Sequence, residues 1–187
     1  MRYGQGTGFT NLVPAKHRKS SNKNGRKSVK RRMDTARSSN SSNSKNSNEI
    51  GGEMKYFTEK ELRIENAPEQ VKKNMAVLVE KILDPLREKV GAIRINSGYR
   101  SPEYNKQIGG SPTSQHITGQ ATDIFPLEKD IDEVFSIIIR EFKYDQVILE
   151  KNNAGARWIH ISYNTAGNRQ KAMTASVING KATYRRV

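Results

Sequence analysis

The chain contains no cysteine. Disulfides are therefore excluded, and so are thiolate metal sites; a transition-metal site would have to use His, Asp or Glu. Histidine is itself scarce, with His17, His116 and His160 the only three in 187 residues. No apolar run approaches the roughly 20 residues that a membrane helix needs, so no membrane span is expected. The N-terminus lacks the apolar core of a secretory signal, so a protein acting outside the cytoplasm would need another route of delivery. Acidic residues are the scarcer charge: 19 Asp and Glu stand against 33 Lys and Arg, a formal net charge of +14.

That excess is uneven. Residues 1–53 carry 12 basic and 3 acidic residues, whereas residues 54–187 carry 21 and 16. Ser38 to Asn48 consists of Ser, Asn and Lys, and Lys16 to Arg32 is rich in Lys and Arg. Such a segment has too little apolar surface to offset the entropy of ordering. Residues 1–53 are thus expected to be a disordered basic leader, and residues 54–187 one domain of ordinary size. The leader could neutralise several phosphates of a nucleic acid. It reads equally as a solvated tail, or as an extension upstream of an initiator at Met54.

Beyond Met54 the pattern changes. Thr58 followed by Glu61 forms a capping box and starts a short helix. Val71, Met75, Leu78, Val79, Ile82 and Leu86 recur at helical spacing, which predicts a long amphipathic helix ending before Gly91, bent or split at Pro85. Ile93 and Ile95 alternate with polar residues as in a strand, and Ser101-Pro102 caps a brief helix. Ala121 to Phe125 reads as a strand, and Ile131, Val134, Phe135, Ile138 and Phe142 as one helical face. Gln146 to Glu150 and Arg157 to Tyr163 read as two more strands. Asn179-Gly180 marks a terminal hairpin. This order gives an α+β fold, a mainly antiparallel sheet with helices packed on one side.

Two histidines of the domain lie in suggestive settings. Between His116 and Asp123, Gly119 and Ala121 let the backbone approach a metal closely, and Asp123 starts a strand that can present its carboxylate. In the strand around His160, Trp158, His160 and Ser162 share one face while Ile159 and Ile161 take the other. A catalytic zinc site needs three protein ligands and one open position. On spacing alone, a satisfied core histidine and a capping aspartate account for these residues as well.

The motif Ser114-x-His116-x-x-Gly119-x-Ala121-x-Asp123, with the later Trp158-x-His160, resembles the signature of the zinc D-Ala-D-Ala carboxypeptidase family. That family includes vancomycin-resistance D,D-dipeptidases, phage-type and prophage-type peptidoglycan peptidases, and hedgehog-like relatives. Ser97-Gly98-Tyr99-Arg100-Ser101 and the Asp145-to-Glu150 run extend the resemblance over about residues 54–187. It implies a zinc metallopeptidase with one Zn2+ per chain, held by His116, Asp123 and His160. It further implies Glu150 as general base, Arg100 engaging substrate or polarising its carbonyl, and Ser114 and Trp158 beside the substrate. Many relatives place the base in Glu-x-x-His, three residues before the last ligand; that position here is Arg157. The implied substrate is a peptidoglycan stem peptide, cut by a carboxypeptidase or endopeptidase that is phage or prophage encoded. A monomer is expected, made in the host cytoplasm or carried in a virion and acting on the cell wall after release or delivery. The competing reading is a non-catalytic zinc-binding module, for which no base at Glu150 is needed, or a virion protein whose leader binds nucleic acid.

Overall fold

The computed structural model describes residues 54–179 and 181–187. The leader, residues 1–53, and any role in binding nucleic acid lie outside the described residues. Thr58 caps α1 (Glu59–Leu62), with the reciprocal Thr58–Glu61 capping box formed. The long apolar stripe that follows is a chain of three pieces rather than one helix. These are α2 (Glu69–Leu78), a π turn (Val79–Leu83) and α3 (Asp84–Val90). Pro85 sits in the first turn of α3, where its missing N–H costs little. The preceding π turn absorbs the register change that a proline ring imposes on an α-helix, so the apolar stripe stays continuous. Leu78, Val79, Ile82, Leu83 and Leu86 are all fully buried.

Six strands form one sheet: β1 (Ile93–Ser97), β2 (Ala121–Pro126), β3 (Gln146–Asn152), β4 (Arg157–Ser162), β5 (Lys171–Ile178) and β6 (Lys181–Arg186). Their spatial order is β1-β2-β4-β3-β5-β6. Every pairing is antiparallel except β3 with β5, which is parallel. The link from β4 to β5 therefore crosses the start of β3, and it is pinned there. Gln170 N–H donates to Tyr144 O and Lys171 N–H to Asp145 O.

Two short helices complete the domain, α4 (Pro102–Gln107), capped by Ser101, and α5 (Ile131–Glu141), capped by Asp130. Strand alternation then sorts the sheet into two faces. Val147, Leu149, Ile159 and Ile161 join α5 and the α2–α3 helices in one apolar core. Asp123, Ile148, Glu150, Trp158 and His160 lie on the other face. Among the described residues no helix is long and apolar enough to cross a membrane.

Candidate active site

Asp123 on β2 stands directly opposite His160 on β4, which in turn stands opposite Ile148 on β3. His116 comes from the loop between α4 and β2. Its backbone carbonyl accepts from Arg100 and Gly119 N–H, and Asn74 holds the next part of the loop through Thr118 O. Gly119 has φ +71, and a Cβ there would lie 2.4 Å from Val71 O, so neither the conformation nor the space admits a side chain.

Three atoms converge. His116 Nε2 lies 3.2 Å from Asp123 Oδ1 and 3.2 Å from His160 Nδ1, and the last two are 3.1 Å apart. His116 Nδ1 is 2.7 Å from Gly98 O. A carbonyl only accepts, so Nδ1 carries the hydrogen and Nε2 presents a lone pair to the other two atoms. One proton can bridge one edge of this triangle, whereas a divalent cation satisfies all three corners. Ligands about 2.0–2.1 Å from a tetrahedral zinc are separated by about 3.3 Å, close to the edges found here. His116, Asp123 and His160 therefore form a group able to share one metal ion.

The groups around the triangle hold it in place. Gly98 O fixes the His116 ring, the usual second partner of a metal-binding imidazole. Gly98 can do this only without a side chain, because a Cβ would lie 2.1 Å from Leu62 O. The second oxygen of Asp123 is engaged by the Arg100 guanidinium, whose Nε donates to Ser97 Oγ at 2.9 Å. The register irregularity between Ile95 and Ser97 in β1 sets Ser97 opposite Asp123. Burial alone would push the Asp123 carboxyl up, but His116 and His160 outweigh it and hold the group well below the usual carboxylate range.

Glu150 pairs with Trp158 across β3 and β4, two residues along the same face from the Ile148–His160 pair. Burial is the main influence on its carboxyl and pushes it up. The His160 charge opposes this, Asp123 adds to it, and Trp158 hydrogen bonding and Arg100 pull it down. Arg157 is elsewhere. Its side chain leaves on the core side and pairs with Asp132 of α5. An odd offset from His160 along a regular strand leads to the opposite face, so position 157 cannot serve the metal site in this register.

A cavity of about 900 Å³ opens over the triangle. Arg100, Ser114, Glu150 and Trp158 all line it, so every residue singled out in the sequence faces one space. Two further lining residues, Arg169 and Tyr184, carry no signal in the sequence: they belong to a polar loop and an edge strand. The sequence model of the Peptidase M15 family matches residues 55–162. The chain belongs to the Peptidase M15 family. Peptidase M15 members are zinc metallopeptidases, and the His-Asp-His group lies inside the matched segment. No curated protein matches the chain. The match ends with β4, so Arg169, β5 and Tyr184 lie outside the matched segment.

Proposed function

We propose that this Peptidase M15 member hydrolyses peptide bonds in bacterial peptidoglycan stem peptides, with one zinc held by His116, Asp123 and His160. The observation that carries the reading is the triangle of ligand atoms with Glu150 on the same face of the sheet. A bare metal-binding module has no use for a half-buried carboxylate aimed into the same cavity. A zinc ion bound there would supply a Lewis acid that activates water and polarises the scissile carbonyl. Glu150, its carboxyl raised by burial, takes the proton of the attacking water and returns it to the leaving amine. Arg100 keeps Asp123 oriented and turns its remaining N–H donors toward the carbonyl oxygen on which charge develops. Trp158 walls the cavity and excludes water, and Ser114 offers a hydroxyl at its rim.

The reading includes a phage or prophage origin, a monomer, and access to the wall after release from the host cytoplasm or delivery by a virion. Its test pairs metal analysis with hydrolysis of a synthetic stem pentapeptide. One zinc per chain is expected, lost in His160→Ala, together with hydrolysis that stops with a chelator and returns with zinc. A metal-free protein, or hydrolysis indifferent to chelation, would remove the reading.

A further inference from the structure

The cavity has two unlike ends. Gln146, Ile148 and Glu150 alternate along β3 on the site face, with Ile148 opposite His160. At about 3.3 Å per residue, Glu150 and Gln146 each lie about 7 Å along the strand from the ligand pair, in opposite directions. The Glu150 end carries a carboxylate with Trp158 and Tyr184. The other end carries Gln146, Gln115 and Arg169.

Arg169 is built into that end. Its Nε donates to Asp145 Oδ1 at 2.7 Å, its Nη2 to Asp145 Oδ2, and its backbone N–H to Oδ1 at 3.0 Å. Asp145 is fully buried and takes a fourth bond from Gln115 Nε2 at 2.9 Å. The guanidinium is thus clamped in one orientation, yet its side chain remains 46% exposed, against 17% for Arg100. Among the described residues nothing else accepts from its three remaining N–H donors. Arg100, by contrast, spans Ser97 and Asp123. A fixed guanidinium flanked by two amides is a receptor for a carboxylate, which it can meet with paired charge-assisted hydrogen bonds.

We propose that Arg169 is the anchor for the C-terminal carboxylate of the substrate, which makes the enzyme a carboxypeptidase rather than an endopeptidase. The inference rests on the stem-peptide reading above. About 7 Å along an extended peptide corresponds to about two residues, so a carboxylate held at this end leaves a bond near the chain terminus over the metal ligands. The Glu150 end, with its acidic group, then receives the upstream part of the peptide.

The single tryptophan, Trp158, lines the cavity and reports binding without any need for hydrolysis. Full-length zinc-loaded protein carrying Glu150→Gln, to slow turnover, is titrated with acetylated Lys-D-Ala-D-Ala and with its C-terminal carboxamide. The carboxylate is expected to bind roughly tenfold to hundredfold more tightly. With Arg169→Gln added, that preference falls to near unity. Arg169→Lys retains a cation beside buried Asp145, protects the fold and is expected to lose most of the preference. An unchanged preference in either folded variant would overturn the proposal, as would equal binding, or no binding, of the two peptides by the parent. Wild-type protein that keeps the preference but cleaves neither peptide would remove the peptidase reading and leave the anchor standing.

Discussion

At the scale of single residues, strand parity decides which side chains can do chemistry. Glu150 shares the face of Asp123 and His160, and Arg157 does not, although Arg157 is nearer to His160 in sequence. Glu150→Gln is expected to leave zinc binding nearly intact and to lower turnover roughly 10²–10⁴-fold, the usual range for lost acid–base catalysis. Steady-state kinetics beside metal analysis checks this, and full activity would transfer the role to another group. Gly98→Ala tests the shell behind the ligands. Its Cβ would meet Leu62 O at 2.1 Å, and the shift needed would move the carbonyl that orients His116. A loss of about 1–3 kcal/mol of stability is expected, with zinc affinity falling roughly 10–100-fold. Thermal unfolding and a chelator competition read the two effects separately. The three candidate ligands were legible in the sequence because their motif resembles a known signature. The Gly98 carbonyl was not, since a backbone acceptor leaves no trace in residue identity.

At the scale of elements, local signals translated well and non-local ones did not. The Thr58 capping box and the Ser101-Pro102 start each depend on a few adjacent residues, and each is present; β5 and β6 pair antiparallel up to Ile178 and Lys181, as a terminal hairpin requires. The split at Pro85 was expected, but its form, a π turn over Val79–Leu83, was not, because both helical forms bury the same apolar stripe. The parallel β3–β5 pair depends on how the chain crosses from β4, which no periodicity encodes. That crossing makes Asp145 a structural keystone under Arg169. Arg169 and the backbone and Gln115 donors hold the Asp145 carboxyl below its ordinary value, against the effect of burial. A lowered folded pKa contributes stability above the unfolded value of about 3.9 and loses it as pH falls below that. Asp145→Asn is therefore expected to lower the thermal midpoint at pH 6, with the gap to wild type narrowing below about pH 4. A gap independent of pH would mean that the charge of Asp145 is not what matters.

At the scale of the whole molecule, most of the net positive charge belongs to residues 1–53, with 12 basic against 3 acidic residues, and not to the sequence segment that carries the site. If the leader contacts nucleic acid, binding is expected to be largely independent of sequence, to weaken steeply with salt, and to vanish when residues 1–53 are deleted, with peptide hydrolysis unchanged. Binding retained by residues 54–187 would place the contact in the domain instead. The central claim joins one sheet face, three convergent ligand atoms and a half-buried carboxylate into a peptidase of the cell wall. It is tested most directly by digesting purified peptidoglycan and weighing the products, with zinc, with a chelator, and with zinc restored. The account predicts stem peptides shortened at a peptide bond, with intact glycan, a change abolished by the chelator and regained with zinc. Unaltered stem peptides, or cleavage that persists without metal, would contradict it.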